Sequence, residues 1–218
     1  MATGIPTTNQ IYAASPESLI TKSKVGVPQL ISGSQFLQWG ASTALVSSTT
    51  ETSLLTATTA KSFGTLSWPG TGLTNDWNLG TVAGAGAVYR FKAGGIIANT
   101  STPDLTIRLT LTNAAGTVST LSTTTNLATV AITGTANWDL EAMIIVTAYD
   151  SSAGSILTHG KFTYEQTTLL GTIWKLPSTT LSSIDTTSYF ALDLKATWGT
   201  SSASNTMACQ WATLEALN

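Results

Sequence analysis

Apolar and polar residues alternate with a period of two along much of the chain, most cleanly in three stretches. Leu105, Ile107, Leu109 and Leu111 fall on one face of an extended segment, and Thr106, Arg108, Thr110 and Thr112 on the other. The pattern returns in Trp138, Leu140, Ala142, Ile144, Val146 and Ala148, and again in Phe190, Leu192, Leu194, Ala196 and Trp198. Each reads as a half-buried antiparallel strand, and the three together predict the core. Weaker runs at 53–58, 87–98, 117–122, 129–133, 156–166, 171–176 and 205–217 bring the expectation to about eight to ten strands. Clusters of Gly, Asn, Asp and Ser at 113–116, 134–137, 150–154 and 199–202 supply the turns. Turn spacings of about ten residues predict an all-β fold, an antiparallel two-sheet jelly-roll sandwich.

Residues 1–38 carry no sustained period. Pro6, Pro16 and Pro28 interrupt scattered apolar residues, so this segment reads as an extended N-terminal arm ahead of a single domain at 39–218. Ser15 followed by Pro16 could open one short helical turn. Gly84 and Gly86 precede a strand-like run, whereas a nucleotide loop would place such glycines between a strand and a helix. A closely packed start to a strand is the simpler reading.

Composition narrows the partners. Only 9% of the 218 residues are charged, against about 25% in an ordinary soluble domain, and Thr and Ser, roughly three residues in ten, take over the contact with water. A net charge of −2 offers neither the basic stripe that binds nucleic acid nor a polybasic membrane patch. No apolar window approaches the length of a membrane-spanning helix, and the first residues lack the basic and apolar regions of a secretory signal. The expectation is therefore no nucleic acid and no membrane. A single cysteine, Cys209, excludes an intramolecular disulfide and any metal site built on a cysteine pair.

The search for chemistry returns little. The one histidine, His159, lies in a strand-like run on the same face as Leu157 and Lys161, and no Gly-x-Ser-x-Gly motif frames a nucleophile. Asp139 and Glu141 project from one strand to one face, a spacing that paired carboxylates use in glycoside hydrolysis. On the polar side of an amphipathic strand such a pair reads first as a solvated face, and no Trp or Tyr is expected beside it as a sugar platform. Asn75, Asp76, Asp150 and Ser151 are the nearest approach to a calcium loop, without an acidic repeat to support it. Cys209 alternates with Met207 and Trp211, which predicts a buried, unreactive thiol. Of the seven tryptophans, Trp138 and Trp198 are in phase with the core, whereas Trp68 and Trp77 fall in a loop-like stretch. There they would either stack on sugars or bury at a subunit contact. No catalytic residue, metal or cofactor is expected.

Three Thr- and Ser-rich stretches, beginning at Glu51, Asn137 and Ser202, with a Trp-x-Leu-Glu-Ala element from Trp138 to Ala142, resemble a β-domain common in virion proteins of tailed bacteriophages. The resemblance spans about residues 45–217. It implies a jelly roll that assembles as a homotrimer and docks through its arm on the major capsid protein of the phage head. Ile5, Ile11, Tyr12, Leu19 and Ile20 would be the anchoring contacts. The expected role is then non-enzymatic, a capsid decoration (cement) protein made in the host cytoplasm and carried on the outer surface of the head. Two alternatives stay open: a short tail or head fibre adhering to host glycans through Trp68 and Trp77, and a free carbohydrate-binding module.

Overall fold

The computed structural model describes residues 20–22, 28–30, 33–39, 45–55, 77–78, 85–113, 116–124, 127–132, 134–166, 169–186 and 189–217. Among these residues every regular element is a strand: β1 (Ile20–Lys22), β2 (Pro28–Leu30), β3 (Gly33–Trp39), β4 (Leu45–Val46), β5 (Thr52–Ser53), β6 (Trp77–Asn78), β7 (Val88–Ala98), β8 (Asp104–Asn113), β9 (Val118–Thr123), β10 (Leu127–Ala128), β11 (Ala136–Ala148), β12 (Gly154–Gln166), β13 (Leu169–Ile184), β14 (Tyr189–Trp198) and β15 (Thr206–Ala216). The additional strands relative to the expected count are two- and three-residue pieces, too short for any periodicity to register, apart from the seven-residue β3. The run expected at 129–133 is displaced to β10, and the run at 171–176 extends across all of β13.

All strand pairs are antiparallel. The larger sheet runs β13-β12-β11-β7-β15-β3, with β4 also on β15, and the smaller runs β10-β8-β14-β5, with β6 on β14 and β9 on β8. The two sheets pack face to face as a β-sandwich. The alternation seen in the sequence is what closes it: Leu105, Ile107, Leu109 and Leu111 of β8 and Leu192, Leu194, Ala196 and Trp198 of β14 are buried against Trp138, Leu140, Ala142, Ile144 and Val146 of β11. Tyr89, Phe91, Phe162 and Tyr164 complete the core. Rings gather at one end of it, with Phe162 at 5.9 Å from Trp138 and 6.0 Å from Trp174, and Tyr164 stacked on Trp174 at 4.7 Å.

Side-chain bonds tie the sheets together. The Ser122 hydroxyl of β9 donates to the Pro177 carbonyl of β13 at 3.0 Å, and the Val130 amide donates to the Tyr164 hydroxyl at 2.9 Å. Pro177 lies inside a strand, which is tolerated because β13 is at a sheet edge and its register against β12 shifts between Thr158 and Gly160. Segment 45–55 passes from one sheet to the other. β4 pairs with β15, Ser47 turns the chain with φ of 55°, and β5 then pairs with β14.

The expected arm ends differently. Residues 33–38 continue into β3, which pairs with β15 from Gly33 to Trp39 and takes the edge of the larger sheet. Within the seven residues of β3, Phe36 and Leu37 are adjacent and break the alternation, so the strand is silent in the sequence. Ile20 lies in β1, opposite Leu30 of β2. Ile5, Ile11, Tyr12 and Leu19 lie outside the described residues, as does the possible helical turn at Ser15.

Candidate functional site

The polar residues of β15, β7, β11, β12 and β13 that alternate away from the core assemble into transverse rows on the outer face of the larger sheet. Register places Thr213, Lys92, Glu141, Lys161 and Lys175 in one row. Glu141 sits between two ammonium groups, 3.6 Å from Lys92 Nζ and 3.5 Å from Lys161 Nζ. One step toward the strand ends, Glu215, Arg90, Met143 and His159 form a second row. Arg90 donates from Nε to Glu215 at 3.1 Å, and this bond with the nearby carboxylate raises the guanidinium pKa further. His159 is exposed on this face, as its strand phase predicts.

The row on the other side of Glu141 holds an aromatic platform. Trp211, Gly94, Asp139, Thr163 and Ile173 lie in register across the same five strands. Trp211 is 37% exposed and Ile173 is 65% exposed. The indole rests directly over Gly94: a Cβ built there would stand 2.6 Å from Trp211 Nε1 and 2.7 Å from Cε2 and Cζ2. Glycine is therefore required for the ring to occupy this place. Around it, Lys92, Asp139, Glu141, Lys161, Thr163 and Ile173 line a shallow depression of about 330 Å³.

The expectation that no aromatic accompanies Asp139 and Glu141 is thus overturned. A β-bulge is the cause. The register of β15 on β7 shifts between Cys209 and Trp211, so Met207, Cys209, Ala212 and Leu214 point into the core while Gln210 and Trp211 both face outward. The sequence carries a trace of this in the slip from Cys209 to Ala212 within an otherwise two-residue apolar spacing, and in the glycine pair Gly94 and Gly95 on the facing strand. Cys209 itself is buried, and burial pushes its thiol up to about 12, in keeping with an unreactive sulfur.

A second polar cluster lies on the opposite side of the sandwich. Asp193 of β14 and Thr110 of β8 are register partners pointing away from the core. Thr110 is nonetheless fully buried, and its hydroxyl has no hydrogen-bond partner among the described residues. Burial pushes the Asp193 carboxyl up to about 7. Ser53 Oγ lies 2.6 Å from Asp193 Oδ1 and 2.7 Å from the Leu55 carbonyl, while the Leu55 amide donates to it at 3.2 Å. A serine hydroxyl has one proton to give. Ser53 donates to Asp193 Oδ1, a bond that favours the carboxylate and opposes the effect of burial, so Asp193 and the Leu55 carbonyl compete for the one hydroxyl proton. With Asp193 ionised, Ser53 must turn its proton to the carboxylate and the Leu55 carbonyl loses its donor.

The remaining sequence candidates are placed as follows. Trp77 lies in β6, opposite Phe190 of β14, whereas Trp68 is outside the described residues, as are Gly84, Asn75 and Asp76. Gly86, with φ of 97°, turns the chain into β7 rather than into a helix. Asp150 Oδ1 accepts from the Ala153 amide at 2.8 Å and the Ser152 amide at 2.7 Å, which lowers its pKa and commits it to a turn. Among the described residues, no group of three or more His, Cys, Asp or Glu is arranged to hold a metal ion, and no helix is long and apolar enough to cross a membrane. Compared with known proteins, the chain matches no protein-family model, no curated protein and no solved structure.

Proposed function

We propose that this chain is a non-enzymatic virion structural protein of a tailed phage, a capsid decoration protein that binds and stabilises the mature head shell. In this reading the sandwich is of jelly-roll type, it assembles as a homotrimer on the major capsid protein, and it is carried on the outer surface of the head. The observation that supports it is where the resembling stretches fall. The stretch from Asn137 is β11 and the stretch from Ser202 leads into β15, the two strands that flank β7 in the larger sheet. Trp138, from the Trp-x-Leu-Glu-Ala element, is fully buried and donates its indole N–H to the Ala208 carbonyl at 3.1 Å. Glu51, which opens the first stretch, pairs with Arg108 of β8 at 2.8 Å. The resemblance therefore follows the framework of the sandwich rather than its loops.

Docking falls to the N-terminal segment, and the strand pairing says where to cut it. β1 and β2 pair with each other, whereas β3 belongs to the larger sheet. Deleting residues 1–32 should leave the sandwich folded and abolish co-sedimentation with isolated phage heads, while the full chain sediments with them. Equal sedimentation of both proteins would overturn docking by the arm, and failure of the full chain to sediment with heads would overturn decoration itself.

A further inference from the structure

We infer that the Trp211 platform is a binding site for one neutral pyranose ring, a site separate from the Trp68 and Trp77 stretch and independent of the virion reading. Three observations converge on it. The first is shape. The indole lies across Gly94 and reaches toward Asp139, the register partner of that glycine on β11, so it offers an open aromatic surface flush with the sheet. The C–H face of a sugar ring stacks on such a surface by burying apolar area against a large, rigid side chain.

The second is the rim. Carboxylates of Asp139 and Glu141, the hydroxyl of Thr163 and the ammonium groups of Lys92 and Lys161 surround the depression. A polyol needs both donors and acceptors at its edge, and this edge supplies both. The Asp139 side chain is exposed and makes no hydrogen bond or ion pair within the described residues, so its acceptors are free for two adjacent hydroxyls. Glu141 and its two lysines form a braced row that would hold hydroxyls from the other side.

The third is charge. Two lysines and two carboxylates cancel within the depression, so neither a phosphate nor a sugar acid gains from long-range attraction there. A neutral ring is the ligand that such a balanced edge suits. A protein partner fits less well: among the described residues, Ile173 is the one exposed large apolar side chain that shares the lining of the depression with Trp211. The apolar core of a protein interface of standard size requires more. The volume of about 330 Å³ lies at the small end of ligand pockets, the size of a single-ring site.

The test is a titration of the full chain, labelled with nitrogen-15, with methyl β-glucopyranoside, methyl β-galactopyranoside and methyl α-mannopyranoside in turn, following the indole N–H resonance of Trp211. At least one glycoside should shift that resonance saturably, with a Kd on the order of 1 mM, and glucose 6-phosphate should bind no more tightly. In Trp211→Ala the glycoside should no longer move the backbone amide resonances of Asp139 and Thr163 that shift with it in the unaltered chain. Gly94→Ala, which adds a methyl group where the ring lies, should weaken binding at least tenfold while the backbone spectrum stays native. Asp139→Asn should weaken it less. If all three glycosides leave the Trp211 resonance unmoved at tens of millimolar, the proposal fails. It fails equally if the resonance responds only to protein concentration, because a second copy of the chain would then be the occupant.

Discussion

On the larger sheet, the residues that alternate away from the core reach water, and their charges meet in half-buried pairs such as Lys92 with Glu141 and Arg90 with Glu215. On the smaller sheet, residues in the same phase, Thr110 and Asp193, are drawn into a buried polar cluster with Ser53. The local sequence code is the same, polar residues at every second position. What separates the two faces is a remote segment, residues 51–55, which pairs with β14 and places a hydroxyl against the carboxyl group. An open face can afford free carboxylates and so can recognise a ligand, whereas a covered face must neutralise its carboxyl or strain its hydrogen bonds.

The largest effect should come from the core that both faces share. Trp138→Ala removes a fully buried indole and its bond to Ala208, and should cost about 4 kcal/mol in chemical denaturation. Both faces should then unfold in one transition. Separate transitions would mean that the two sheets are not one cooperative unit.

The covered face should next reveal itself through pH. Asp193 holds its proton up to about pH 7 in the folded chain but only to its ordinary value of 3.8 when unfolded. Its contribution to stability is therefore fully present below pH 3.8 and is lost as pH rises to about 7, where the folded carboxyl ionises. The loss should be at most about 4 kcal/mol, and Asp193→Asn should flatten the profile across this window. An unchanged slope in that variant would show that Asp193 is not the titrating group.

Ser53→Ala should cost about 1–2 kcal/mol, because it strips away the hydroxyl donor shared by the Leu55 carbonyl and Asp193 Oδ1. The smallest effect belongs to the open face. Glu141→Gln breaks two partly exposed ion pairs and should change stability by less than about 1 kcal/mol in thermal melting, with the remainder screened by salt. A larger cost would place the lysine row in a structural rather than a recognition role.

The sandwich was largely legible in the sequence because its long strands are amphipathic with strict period. Leu105 to Leu111, Trp138 to Val146 and Leu192 to Trp198 are buried at every second residue, as the pattern predicts. Legibility failed where strands are short, as in β4, or where the period slips, as in β3 and at Trp211. Asp193 could not be read at all. Its neighbours Leu192, Leu194 and Lys195 present it as an ordinary solvent-facing carboxylate, and its burial depends on a pairing across 140 positions of chain. The platform is likewise a product of register, since Asp139, Gly94 and Trp211 come from three strands and adjoin only once the sheet is formed.

The most direct test of the decoration reading is electron microscopy of intact virions from the source lysate, labelled with gold-conjugated antibody against the chain. Gold spread evenly over the heads is the result expected of a protein that decorates the shell. Gold confined to tail tips or to one vertex, or virions left bare while the soluble fraction carries the protein, would contradict it.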